Sequence, residues 1–118
     1  MRAYVAGMDA RARRMALNQA MFRIANERVS AWPERRVTER TVASSFYCEC
    51  SRTSCRDRLN VRLADYEAVR GNSRRFVIAR GHEYTEIERV VEDHGVYVVV
   101  EKLDEAAEVV EATDPRRG

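Results

Sequence analysis

Lysine is nearly missing from this chain: Lys102 stands alone beside twenty arginines. Aromatic residues are also sparse, at 8% of 118 residues, so the core must rest largely on Ala and Val. No apolar run approaches the roughly 20 residues that span a bilayer. The longest, Val96 to Val100, has five. The N-terminal stretch lacks the apolar core of a signal peptide, and a cytoplasmic location is expected. There is no glycine-rich phosphate loop and no nucleophile motif. The His-x-Glu…Pro-Cys-x-x-Cys pattern of zinc deaminases is absent too. These gaps argue against an enzyme. Cysteine is limited to three residues, an odd number that disfavours a secreted disulfide framework.

Those three cysteines are Cys48, Cys50 and Cys55, all within Phe46-Tyr47-Cys48-Glu49-Cys50-Ser51-Arg52-Thr53-Ser54-Cys55. Positions two apart on an extended segment point to one side, so Cys48 and Cys50 can share a ligand. The polar residues 51–54 leave room for a turn that returns Cys55. A closed tetrahedral zinc site needs a fourth ligand. Only His82 and His94 are available as histidines. His82 follows an apolar strand and Gly81, whereas His94 falls in a turn. His82 is therefore the expected fourth ligand, ahead of Glu49, Asp57 and Glu83, since carboxylates are the minority choice in closed zinc sites. Softness and geometry favour zinc, in a structural role. A domain this small gains from such a staple.

Residues 8–31 contain neither glycine nor proline and read as a long helix, with Asp9 as N-cap and Trp32-Pro33 as the stop. Met15, Phe22 and Val29, seven apart, mark its apolar stripe, with Met8 and Met21 adding an adaptable surface. Asn18-Gln19 and Asn26-Glu27 interrupt the pattern: either a buried Asn fixes register in a helix–helix pair, or they face water beside the stripe. A polar linker follows over 33–41. Val42 to Tyr47 reads as a strand, and Leu59, Val61 and Leu63 as a second. Residues 64–70 form a short helix closed by Gly71-Asn72. A buried strand covers 76–79, and residues 87–102 form a hairpin turning at Asp93-His94-Gly95. The acidic residues 104–118 have weak helical character and are expected to fray.

The whole predicts an α+β fold: a long N-terminal helix (1–32), then a zinc-stabilised domain with a small antiparallel sheet and a short helix (33–103), then an acidic tail (104–118). Charge is split. Residues 1–82 hold 17 Arg and 8 acids, a balance of +9; residues 83–118 hold 4 bases and 11 acids, a balance of −7. The acidic end is expected to fold against the basic part. Arg52, Arg56, Arg58 and Arg62 border the cysteines and offer a nucleic-acid patch beside Phe46 and Tyr47. Interleaved Glu49, Asp57, Asp65 and Glu67 weaken that reading.

Three stretches resemble a group of small proteins of GC-rich bacteria with a recurring Cys-x-Cys-x4-Cys…Gly-His signature. They are Phe46-Tyr47-Cys48-Glu49-Cys50…Cys55, Leu63-Ala64-Asp65-Tyr66-Glu67-Ala68-Val69-Arg70 and Arg75-Phe76-Val77-Ile78-Ala79-Arg80-Gly81-His82. Residues 18–28 are similar to theirs as well. The resemblance implies that His82 belongs with the cysteines and implies no activity. The expected function is a non-enzymatic zinc-binding regulatory or adaptor module in transcription or signalling. It would bind a protein partner, or a second copy, through Met15, Phe22 and Val29. The alternatives are nucleic-acid binding through the arginines and thiol redox sensing.

Overall fold

A computed structural model describes residues 2–30 and 43–116, with side chains described over 10–29 and 43–116. The elements are α1 (Arg2–Ser30), β1 (Ala43–Tyr47), β2 (Arg58–Arg62), α2 (Leu63–Arg70), β3 (Arg75–Ala79), β4 (Glu88–Asp93), β5 (Tyr97–Lys102) and α3 (Asp104–Ala112). The fold is α+β, as expected. The linker 33–41, the Trp32-Pro33 stop and the Met8 side chain lie outside the described residues.

In place of one sheet there are two, both antiparallel. β1 pairs β2 with Phe46 opposite Leu59. β5 lies between β3 and β4, with Val77 opposite Val99. β5 has its first four residues buried, which is why its sequence is an unbroken apolar run rather than an alternating one. β4 carries an irregularity between Val90 and Glu92, so strict alternation fails there. Gly95 takes φ 88 in the hairpin turn, a conformation that favours glycine. The core joins both sheets: Phe46 stacks on Tyr66 at 4.3 Å, and Phe76, Ile78, Val98 and Val100 pack in the same cluster.

Two expectations fail at the chain's ends. α1 begins at Arg2, not at Asp9, and runs 29 residues, about 44 Å. Gly7 inside it costs about 1 kcal/mol relative to Ala, which good helix formers on either side offset. The C-terminal residues do not fray over 104–116. α3 buries Ala106, Ala107 and Val110, and packs against α1 and β5. Beyond it Asp114 meets the buried Arg70 in a bidentate pair (2.5 and 3.2 Å). Arg70 also reaches Glu27 at 2.5 Å, and Arg116 bridges Glu27 and Glu67. The acidic end is thus fastened to α1 and α2 by the buried Arg70 fork and the exposed Arg116.

A further departure decides how the site is built. α1 turns polar residues inward. Gln19, Arg23 and Asn26 are each 0% exposed, while Leu17, Met21 and Ile24 are 43%, 51% and 45% exposed. Positions 19, 23 and 26 share one face of the helix; 17, 21 and 24 share the opposite one. Of the expected partner-binding stripe, Met15 lies in the core, Val29 packs against it, and Phe22 is half-buried. That stripe is mostly core. Ala16 and Ala20, both buried, complete the inward face. Arg23 donates to the carbonyls of Ser73 and Val110 at 2.7 Å each, and its guanidinium lies 4.6 Å from the Phe76 ring. Gln19 donates to Glu88, which also pairs with the buried Lys102. Burial pushes the Lys102 ammonium down to about 8, against the pull of Glu88.

Candidate metal centre

The cysteine loop leaves β1 at Tyr47 and stays extended through Cys50, so side chains alternate. Cys48 and Cys50 point one way and Glu49 the other. The loop turns at Thr53-Ser54, and the Cys55 N–H donates to the Arg52 carbonyl at 3.1 Å. At the end of β3, the His82 N–H donates to the Ala79 carbonyl at 3.0 Å, closing a turn with Gly81 at φ 90. That positive φ at the third turn position is the type II arrangement, which calls for glycine. The turn swings the His82 ring back over the loop.

The four predicted ligands are thereby brought together. The Sγ atoms of Cys48, Cys50 and Cys55 and a ring nitrogen of His82 all lie within 4.8 Å of one another. His82 Nδ1 is 3.5 Å from Cys48 Sγ and 3.7 Å from Cys55 Sγ. A tetrahedral ion with metal–sulfur bonds of about 2.3 Å and metal–nitrogen bonds of about 2.1 Å has sulfur–nitrogen edges of about 3.6 Å. The spacing therefore fits a single metal ion. Cys48 and Cys50 are buried; Cys55 and His82 are half-buried.

The surroundings suit thiolates. The Ala79 N–H donates to Cys48 Sγ at 3.1 Å, and the backbone N–H groups of Arg52 and Asp57 serve Cys50 and Cys55. Asp57 lies 3.4 Å from His82 Nε2, on the far side of the ring from the sulfurs. A proton held at Nε2 by that carboxylate leaves the Nδ1 lone pair for a metal. Without a cation the cluster favours only one thiolate. Cys50 is pulled down to about 5, chiefly by the hydrogen bond from the Cys48 thiol. Cys48 is pushed up by donating that bond and by burial, and Cys55 is pushed up by burial. A divalent cation removes this conflict, because it stabilises all three anions together.

The carboxylates weighed as other ligands are occupied. Glu49 is fully buried on the opposite side of the strand. Its Oε1 accepts from the Val77 N–H (3.0 Å), and its Oε2 accepts from Asn26 (2.9 Å) and Tyr66 (2.8 Å). Burial pushes the Glu49 carboxyl up although these three donors favour its ionised form. Glu83 accepts from the Gly81 N–H. Asp57, the third, faces His82 Nε2 at 3.4 Å.

Two residues missed in the sequence hold the loop from behind. Asn26 binds Tyr47 as a strand would, accepting from its N–H at 2.7 Å and donating to its carbonyl at 2.8 Å. Asn18 donates to the Ser51 carbonyl at 3.0 Å. α1 therefore grips the loop just before Cys48 and just after Cys50. The signal was the spacing of Gln19, Arg23 and Asn26, which is as helical as any apolar stripe.

The four arginines near the loop are all exposed and all engaged within the chain. Arg58 lies over the Tyr47 ring at 4.0 Å and donates to Ser45. Arg62 pairs with Asp65, Arg52 donates to Tyr84, and Arg56 donates to the Thr53 carbonyl. Phe46 is buried against Tyr66, so it offers no stacking surface. Among the described residues no helix is long and apolar enough to cross a membrane. No protein-family model, curated protein or solved structure matches the chain.

Proposed function

We propose that this chain is a non-enzymatic module stabilised by one structural zinc ion, and that it works by binding a protein partner in transcription or signalling. The observation that carries the reading is the set of three sulfurs and one imidazole nitrogen at tetrahedral-edge spacing. Zinc suits that donor set, since thiolate and imidazole ligands in a tetrahedron are its usual structural shell. Four protein ligands leave no position for a substrate, and Glu49 is engaged on the opposite side of the strand. A reducing compartment such as the cytoplasm would keep the three thiols available to the ion.

Internal engagement of Arg52, Arg56, Arg58 and Arg62 weighs against the nucleic-acid alternative. Redox sensing has only the partial exposure of Cys55 and the lowered Cys50 thiol in its favour.

The test is metal content of the purified protein, native and as Cys55→Ser and His82→Ala, with cobalt substitution. One zinc per chain, lost or strongly weakened in both variants, is the expected result. Cobalt should give a four-coordinate spectrum unchanged by added anions. Full zinc retention in His82→Ala would remove the fourth ligand, and an anion-sensitive spectrum would reopen catalysis.

A further inference from the structure

Among the described residues, the outward face of α1 takes no part in the core. Leu17, Met21 and Ile24 form a narrow exposed stripe. It spans about 10 Å along the axis, and all three fall within about 60° of arc at 100° per residue. Arg13 and Arg14 are exposed at one end and Arg28 at the other. Arg14 and Arg28 stand about 21 Å apart at 1.5 Å per residue. The only acid over residues 10–29 is Glu27, and it is turned to Arg70 and Arg116. The face is therefore apolar at its centre and basic at both ends, with no exposed acid.

We propose that this face is the docking site for an amphipathic helix of a partner protein, with apolar residues along one stripe and carboxylates near both ends. The inference rests on the protein-binding reading above. Charge selects the occupant. A second copy of α1 docked antiparallel about Met21 would set Arg14 against the other Arg28, and a parallel copy would set each arginine against itself. Acidic ends on the partner relieve both conflicts and help steer association. The shape of the stripe also selects. A membrane-surface helix needs a broad apolar face that sinks into the acyl boundary. A one-ridge stripe instead matches the groove of a single packed helix.

The experiment pans a displayed library of randomised helical peptides against the zinc-loaded protein, against Met21→Glu, and against Arg14→Glu/Arg28→Glu. Thermal melts and zinc content confirm that each variant is folded. The expected winners carry an apolar stripe and Asp or Glu at both ends. They should lose tenfold or more in affinity for Met21→Glu, and the doubly reversed variant should select basic ends instead. Winners indifferent to Met21→Glu, or no winners, would overturn the proposal. So would recruitment to phosphatidylserine vesicles or self-association, if Met21→Glu abolishes either. A change in Trp32 emission in Met21→Glu would point to the chain's own residues 31–42 as the occupant and also overturn it. Peptide selection that survives with no zinc in the protein would sink the zinc reading and leave this one standing.

Discussion

Asn26→Ala tests whether the loop is held from behind as well as by its sulfurs. Asn26 is fully buried and makes three hydrogen bonds: two with the Tyr47 backbone and one with Glu49. A neutral bond contributes about 1 kcal/mol, and one to a charged group about 1.5–3 kcal/mol. Glu49 is fully buried and Tyr47 half-buried, so little water replaces the lost bonds. We therefore expect a loss of about 3–5 kcal/mol, a large share of the roughly 5–15 kcal/mol typical of a domain. Asn18→Ala removes one bond to Ser51 and should cost about 1 kcal/mol. Asn26→Asp should cost more than Asn26→Ala, because it sets a second carboxylate beside Glu49. Urea unfolding at a fixed, buffered free-zinc level reads all three, and chelator competition reads the metal affinity. A cost for Asn26→Ala below about 1 kcal/mol, or equal costs for Asn18→Ala and Asn26→Ala, would refute the clamp, since either result means that the amide contacts offset only their own desolvation.

Gly81→Ala meets no steric obstacle but is held at φ 90, so it should cost about 1–2 kcal/mol and weaken metal binding by displacing His82; unchanged zinc affinity would show the turn to be dispensable. Asp114 is held below the usual carboxylate range: burial opposes its charge, but the Arg70 fork outweighs that. A depressed folded pKa gives stability that is present above the unfolded value of about 3.9 and lost as pH falls through the folded value. The stability difference between wild type and Asp114→Asn should therefore be flat above about pH 4 and shrink below it; a difference that grows in acid would refute the pairing. Met15→Ala removes a buried side chain and should cost about 2–5 kcal/mol in a urea melt, which a true partner-facing residue would not.

The site was more legible than the frame around it. Two-residue alternation on an extended segment sends Cys48 and Cys50 one way and Glu49 the other, and the turn over 51–54 returns Cys55, so three ligands follow from local chain geometry alone. His82 followed from Gly81 and the scarcity of histidine. The strands were legible for the same local reason, with boundaries shifted by a residue where Leu63 opens α2 instead of ending β2. Pairing was not legible, because nothing local decides that β5 lies between β3 and β4 or that β1 and β2 form a sheet of their own. α3 was misjudged because its helical character is weak in sequence, although the acidic end was expected to fold against the basic part. Ala106, Ala107 and Val110 are buried on its inner face, and Arg70 of α2 fastens Asp114 just beyond it.

The polar share of α1's inward face was beyond any rule that sends only apolar residues inward. Such a rule presumes that what the helix faces is also apolar. Here it faces irregular chain: the Tyr47–Ser51 loop, the Ser73 turn and the end of α3. These carry backbone groups that no strand or helix satisfies, and a buried carbonyl without a donor costs free energy comparable to a lost hydrogen bond. Side-chain amides and a guanidinium are the groups that can repair this, so Asn18, Arg23 and Asn26 face in. The metal and the helix are thus complementary in what they hold. The ion would fix the sulfur side of the loop, and α1 fixes its backbone side. Leu17, Met21 and Ile24 are left outside because the inward positions are already taken by donors.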